Sequence, residues 1–219
     1  FSPNGELEEY NDTNALYLYD PETREFSDKL YQDPNYDVGG FTGTCRNASG
    51  GAGVDYDTRK LLYVTYEAQE PVKIYFDDEI AEIYNGLDAV FPNEWVSVVT
   101  RDKERNKMVI RVSSPSNPGD YYFYNRQASQ LIPLYTYAPW IDRKIMAETI
   151  PVKYTARDGL VIPAYLTLTK KKTDKNYMIV LPHGGPNTKQ RIGFDWWTQF
   201  FANKGYNVLK MDFRGSTGL

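Results

Sequence analysis

Two adjacent glycines, Gly184 and Gly185, are the residues of this chain best suited to chemistry on a carbonyl group. They follow an apolar run at residues 178–181, and His183 and Pro186 flank them. Acyl transfer develops negative charge on the carbonyl oxygen, and each backbone N–H donor aimed at that oxygen typically contributes about 2.7–4 kcal/mol. Because a side chain would obstruct the approach, glycine suits such a donor. The pattern predicts an oxyanion hole at Gly184 and Gly185, and a tight turn without a ligand is the alternative.

The segments around the two glycines have the pattern of an α/β sheet. Residues 151–156 and 160–168 are extended runs joined by an Asp-Gly turn, which predicts an antiparallel hairpin. Residues 177–181 are continuously apolar, as in a central parallel strand, and apolar residues at helical spacing predict a helix over 194–204. A further strand is predicted over 206–213. Hairpin, strand, helix and strand in this order are typical of the start of an α/β-hydrolase sheet, in which the glycine loop follows the third strand.

The first 138 residues have the pattern of repeated β-hairpins. The predicted hairpins join the runs 16–19 and 24–26, 54–57 and 61–65, 72–76 and 80–83, 96–100 and 108–112, and 121–124 and 131–134. Two hairpin types recur in the same order with a period near 45 residues, which predicts β-propeller blades. A generic antiparallel sandwich is the alternative. Because closed propellers need at least about four blades, we expect further blades upstream.

The pattern changes between about residues 134 and 150, where a weakly helical segment at 141–149 contains neither Gly nor Pro. We therefore predict residues 1–138 as the C-terminal blades of a β-propeller. Residues 139–219 are predicted as the start of an α/β-hydrolase domain, truncated before the nucleophile elbow. The chain does not begin with Met, and we expect both of its ends to be cuts through a longer protein.

Taken together, these motifs resemble the prolyl oligopeptidase family of serine peptidases, and most closely its acylaminoacyl-peptidase-like branch. The similarity is carried by residues 181–186, 194–195, 199–206 and 213–218, and by the hydrolase-domain entry at 157–160 and 162–166. It implies a β-propeller that limits entry to short peptides, followed by an α/β-hydrolase domain with a Ser-Asp-His triad. It also implies that Gly185, and secondarily Gly184, donates a backbone N–H to the oxyanion.

No residue of the catalytic triad is predicted within this chain. The triad of α/β-hydrolases follows the order Ser, Asp, His, and His183, the only histidine, precedes any nucleophile. We therefore interpret His183 and Pro186 as loop-shaping residues, and Arg214 as a structural residue that forms a salt bridge or hydrogen bonds. The catalytic Ser, Asp and His are expected after Leu219, in a missing C-terminal catalytic half. The chain by itself is accordingly expected to be inactive.

Two tryptophans at the start of the predicted helix, Trp196 and Trp197, are weak candidates for a substrate pocket. Large aromatic side chains bury extensive apolar area. We therefore expect at least one of the two to pack the helix on the sheet.

Composition argues against several other classes of function. The formal net charge is −4, from 25 basic and 29 acidic residues, which gives no electrostatic basis for nucleic-acid binding. No apolar run approaches the roughly 18 residues of a membrane span. The single cysteine, Cys45, cannot form a disulfide framework within the chain, and neither a metal-ligand spacing nor a cofactor motif is present. Two other functions stay open: a carboxylesterase or related acyl hydrolase, and a non-catalytic propeller binding module.

Overall fold

The computed structural model describes residues 13–38, 50–55, 57–172, 176–185 and 187–218. Over these ranges the chain is mostly β-strand, with two α-helices and one short 3₁₀ helix. The chain divides into two compact units. The first unit holds the described residues up to Ala81, Gly184–Arg191 and the described residues from Arg214 onward, and the second holds Glu82–His183 and Ile192–Phe213.

Short antiparallel sheets make up the first unit. Its strands are β1 (Ala15–Leu16), β2 (Tyr19–Asp20), β3 (Glu25–Phe26), β4 (Tyr31–Gln32), β5 (Gly50–Val54), β6 (Leu61–Glu67) and β7 (Pro71–Tyr75). β1 pairs with β4, β2 pairs with β3, and β5, β6 and β7 form a three-stranded sheet with β6 in the centre. A hairpin at the predicted place is confirmed by the pairing of β5 with β6, but its first strand ends at Val54 and the predicted bounds 54–57 are wrong. The predicted run 16–19 is split between β1 and β2.

The core of the first unit lies on one face of β6. Burial alternates along this strand, as a period of two requires, so that Leu62, Val64 and Tyr66 are buried. Val38 packs with Val64 and Tyr66. The Tyr66 hydroxyl donates a hydrogen bond of 2.6 Å to the Asp33 carboxylate, which satisfies its polar end within this core.

A helix occupies the segment after β7, so the strand predicted over residues 80–83 is wrong. Helix α1 spans Asp78–Val90. The Asp77 carboxylate accepts a hydrogen bond of 3.1 Å from Ile80 N, which caps the start of the helix. The buried apolar residues of α1 have a helical spacing and share one face: Ile80, Ile83, Tyr84 and Leu87. The capping aspartate and this spacing outweigh the β propensity of the isoleucines.

A four-stranded antiparallel sheet begins the second unit. Its strands are β8 (Trp95–Arg101), β9 (Lys107–Ser114), β10 (Asn117–Asn125) and β11 (Gln130–Thr136), and each pairs with the next along the chain. The two hairpins predicted here are confirmed by the pairing of β8 with β9 and of β10 with β11. Along β9 the buried residues alternate as Met108, Ile110 and Val112. No sheet closes on itself in the part of the chain that the structure describes.

A second, mixed sheet follows a 3₁₀ helix at Arg143–Ile145, which is all that forms of the weakly helical segment at 141–149. Its elements are β12 (Thr149–Thr155), β13 (Val161–Thr167), β14 (Met178–Val180), α2 (Trp196–Asn203) and β15 (Asn207–Met211). The order of strands is β12-β13-β15-β14, with β14 parallel to β15 and the other pairs antiparallel. The predicted sequence of hairpin, strand, helix and strand is confirmed, although α2 and β15 are shorter than predicted.

A buried carboxylate, Asp120, links β10 to the 3₁₀ helix. It accepts hydrogen bonds from the Arg143 guanidinium and from Thr136 Oγ1, the latter at 2.9 Å. Burial by itself would raise the pKa of Asp120, but these hydrogen bonds outweigh burial and hold the pKa below its ordinary value of 3.8. Asp120 therefore stabilises this connection in its ionised form.

Substituting Asp120→Asn is expected to lower the free energy of unfolding by about 2 kcal/mol at pH 7, because it removes a charge-assisted pair. The folded-state pKa lies below the unfolded-state value, so this stabilisation is present above about pH 3.8 and is lost as pH falls through the folded-state pKa. Urea unfolding at neutral and acidic pH measures the difference in the free energy of unfolding between the wild type and Asp120→Asn. Asp88→Asn, on the exposed face of α1, is the matched control. If this difference stays constant with pH, or if the control variant shows the same difference, ionised Asp120 does not stabilise the connection.

No helix in the described ranges has both the length and the apolar character that a membrane crossing needs.

Candidate active site

The glycine turn begins where the two parallel strands of the mixed sheet end. Leu181 N donates a hydrogen bond of 2.8 Å to Leu209 O, which extends the β14–β15 ladder by one residue. Parallel strands end at the same edge of a sheet, so the residues after β14 lie beside those after β15. The structure places His183 beside Asp212 at this edge.

His183 is buried between a carboxylate and an aromatic ring. His183 Nε2 lies 3.7 Å from Asp212 Oδ1, and only 8% and 3% of the two side chains are exposed. The imidazole stacks on the Phe213 ring, with centroids 4.4 Å apart and an interplanar angle of 20°. These contacts fix the residue that immediately precedes Gly184. The loop-shaping role of His183 stays a prediction, and the packing around its ring is compatible with it.

A buried lysine supplies positive charge close to this edge. Lys210 lies on β15, two residues before Asp212, and is buried. Its Nζ lies 3.7 Å from Asp195 Oδ2. Burial lowers the pKa of Lys210, and the charges of Asp195 and Asp212 oppose that shift. Asp195 also caps α2, since its carboxylate accepts a hydrogen bond of 2.7 Å from Thr198 N. The same small group of charges therefore holds the start of α2 and the end of β15.

The two glycines differ in conformation. Gly185 has φ +140°, and a Cβ there would lie 2.9 Å from Thr188 Cγ2 and 3.2 Å from Asn187 N. Gly184 has no positive φ, and a Cβ there would meet nothing within 4 Å. Only position 185 therefore requires glycine, both for its backbone conformation and because a Cβ would be too close to its neighbours. Pro186, predicted to shape this loop, lies outside the described residues.

The backbone N–H of Gly185 belongs to an exposed residue. Both glycines are exposed. Among the described residues, no hydrogen bond joins Gly185 N–H to an acceptor. A backbone N–H without an acceptor among the described residues can donate to an oxyanion.

The loop after β15 is hydrogen-bonded to the loop that contains the glycines. Thr217 N donates a hydrogen bond of 3.0 Å to Thr188 O. Arg214 is exposed in this second loop. Its predicted structural role stays a prediction.

The two tryptophans of α2 do not lie on the buried face of the helix. The buried side chains of α2 are Thr198, Gln199 and Ala202, whereas Trp196 and Trp197 are 48% and 66% exposed. The expectation that at least one tryptophan packs the helix on the sheet is therefore wrong, because small and polar side chains occupy that face. Trp196 instead lines an open cavity of about 440 Å³ with other aromatic residues of this unit. A substrate-binding role for either tryptophan stays a prediction.

Gln199 of α2 forms three side-chain hydrogen bonds that its local sequence does not predict. Its amide donates hydrogen bonds of 2.8 Å to Pro115 O and Ala147 O, and its Oε1 accepts one of 2.9 Å from Ala147 N. In the sequence, the only indication is a polar residue between the aromatic pairs Trp196-Trp197 and Phe200-Phe201. Its partners lie 84 and 52 residues away, which no local pattern indicates.

Within the ranges that the structure describes, no three His, Cys, Asp or Glu side chains are grouped as a metal site would require.

Known proteins share both sequence and fold with this chain. No family model matches it. It is 31% identical over 177 residues to the dipeptidyl aminopeptidase BIII of Pseudoxanthomonas mexicana, an alignment that covers 77% of this chain and 26% of that protein. The predicted resemblance to the prolyl oligopeptidase family is thereby confirmed. The chain spans about a quarter of the length of the curated relatives it matches.

Solved structures of peptidases in the prolyl oligopeptidase family share the fold. The acylaminoacyl peptidase of Pyrococcus horikoshii superposes with a TM-score of 0.57 at 21% identity, over 93% of this chain and 28% of that one. A puromycin-hydrolyzing peptidase of Mycobacterium tuberculosis superposes with a TM-score of 0.60 at 16% identity, over 93% of this chain and 31% of that one. At these identities the likeness concerns the fold.

Proposed function

We propose that this chain is part of a serine peptidase of the prolyl oligopeptidase type that hydrolyses short peptides. The observation that carries the proposal is the conformation of Gly185, whose exposed N–H lies in a turn between the third strand of the mixed sheet and the following helix. Oxyanion-binding loops of lipases and esterases occupy this place in α/β-hydrolases. The sequence similarity to a dipeptidyl aminopeptidase favours peptides as substrates.

In the proposed mechanism this chain supplies electrostatic stabilisation. A serine oxygen attacks the scissile carbonyl, a base takes the serine proton, and negative charge collects on the carbonyl oxygen. Gly185 N–H donates to that oxygen as the charge develops, and Gly184 N–H is the second candidate for this donor. His183 maintains the turn and takes no proton in this scheme. The nucleophile, its base and the orienting aspartate are proposed to lie beyond Leu219.

The proposed domain organisation assigns residues 1–138 to C-terminal β-propeller blades and residues 139–219 to the start of an α/β-hydrolase domain. The consecutive antiparallel sheets β5–β7 and β8–β11 support the first assignment. The parallel pair β14 and β15, joined through α2, supports the second. In this organisation the propeller limits entry to short peptides, and large folded proteins are excluded.

Kinetics of the intact protein test this proposal. We expect hydrolysis of short peptide amides, with either a free or an acylated N-terminus, and a loss of about 10⁴-fold or more in kcat when the serine of a downstream Gly-x-Ser-x-Gly motif becomes alanine. Matched ester substrates distinguish the acyl-hydrolase alternative. Turnover of esters without turnover of peptides contradicts the peptidase assignment. Equal turnover by the wild type and the serine variant contradicts the serine mechanism, and absence of that motif favours a binding module.

A further inference from the structure

Lys189 lies four residues after Gly185 and binds two separate parts of the first unit. Its Nζ donates hydrogen bonds to the carbonyl oxygens of Glu67, at the end of β6, and of Gly218, the latter at 3.3 Å. The ammonium also lies over the Tyr36 ring, 5.7 Å from its centroid. One side chain of the glycine loop therefore bridges a core strand and the loop after β15.

Thr188, next to Lys189, contacts both the loop after β15 and the glycine turn. Thr188 accepts the hydrogen bond from Thr217 N, and its methyl group occupies the space that a Cβ on Gly185 would need. Thr188 therefore packs against Gly185 on the side where a side chain would lie. Residues 188 and 189 together hold the glycine loop to residues 217 and 218.

The charges around Glu67 strengthen the bridge. Burial raises the pKa of Glu67, and the positive charges of Arg191 and Lys189 act against that rise. Glu67 Oε2 is buried and has no hydrogen-bond partner among the described residues. The two cations of the glycine loop therefore favour the ionised form of the Glu67 carboxyl.

We propose that Lys189 is a positioning residue that holds the Gly184–Gly185 turn in the conformation that binds an oxyanion. Lys189 does not touch the reacting atoms. It acts by tying the turn to the end of β6 and to the loop after β15. The inference rests on the proposed function, because the oxyanion is that of the proposed acyl transfer.

Substitution of Lys189→Met in the intact protein tests the inference. Methionine keeps much of the stem but cannot donate hydrogen bonds or carry charge. We expect kcat for a short peptide amide to fall about 10- to 100-fold, with KM nearly unchanged, because a small misplacement of a donor is costly in the transition state. Lys189→Arg, which retains charge and donors, is expected to recover most of the activity. Lys172→Met, at an exposed lysine, is the matched control.

Amide hydrogen exchange gives a readout that does not depend on activity. We expect faster exchange at residues 184–191 and 214–218 in Lys189→Met but not in Lys172→Met. Unchanged exchange in Lys189→Met overturns the positioning role whether or not the protein is a peptidase. Faster exchange with undiminished kcat in an active protein also overturns it. A wild type without peptidase activity overturns the proposed function alone, since the exchange result still decides whether Lys189 fixes the turn.

Discussion

Substituting Gly185→Ala in the intact protein is expected to lower kcat by about 10²- to 10³-fold, the loss typical of removing one oxyanion donor. The backbone at Gly185 has φ +140°, which an alanine adopts only under strain, and the added Cβ would lie 2.9 Å from Thr188 Cγ2. The turn must shift to accommodate the methyl group, and the N–H then no longer points at the oxyanion. Steady-state kinetics on a short peptide amide measure kcat and KM separately, and we expect KM to change little.

Gly184→Ala is the matched control for this experiment. Gly184 adopts no positive φ, has open space where a Cβ would lie, and keeps its N–H as alanine. We therefore expect its kcat to stay close to that of the wild type. Equal losses in the two variants, or full activity of Gly185→Ala, contradict the assignment of Gly185 as the principal donor.

Substituting Gln199→Leu is expected to lower the free energy of unfolding by about 3 kcal/mol or more, because it leaves three polar backbone atoms without their partners, each costing about 1–3 kcal/mol if it is buried. Gln199 is only 4% exposed and hydrogen-bonds both Ala147 and Pro115. Leucine has a similar volume, so the loss comes from unsatisfied polar groups and not from a cavity. The midpoint of urea unfolding measures this loss.

Gln127→Leu provides the same chemical change at an exposed position in the β10–β11 turn. Surface substitutions of this kind usually change stability by less than about 0.5 kcal/mol. If Gln199→Leu unfolds at the same urea concentration as the wild type, the hydrogen bonds of Gln199 do not stabilise the fold as the structure indicates.

Local patterns in the sequence were sufficient to predict most of the strands and the position of the glycine turn. Strand β6 lies in a run rich in apolar and aromatic residues, and α2 has apolar residues at helical spacing, so both have signals within a few residues. The segment after β7 is predicted as a strand because the run 80–83 follows an apolar run and the turn residues Asp77 and Asp78. The helical spacing of its buried residues becomes clear only when Tyr84 and Leu87, which lie beyond this run, are included.

The contacts that surround the glycine turn could not be predicted from local patterns. Lys189 binds Glu67, which lies 122 residues earlier, and no periodicity connects the two. Lys210 lies within the strand predicted over 206–213, but its buried ammonium pairs with Asp195, which precedes α2. Each of these pairs joins residues that belong to different elements of the fold, so no local period in the sequence indicates them.

The central claim is that an activated serine operates with the Gly184–Gly185 turn. Labelling of the intact protein with a fluorophosphonate probe tests this claim most directly. Intact mass before and after reaction shows how many probe molecules bind. We predict that one molecule adds to each protein, at a serine beyond Leu219, and that a short peptide substrate slows the addition. Absence of labelling in a folded protein that contains the downstream sequence contradicts the claim.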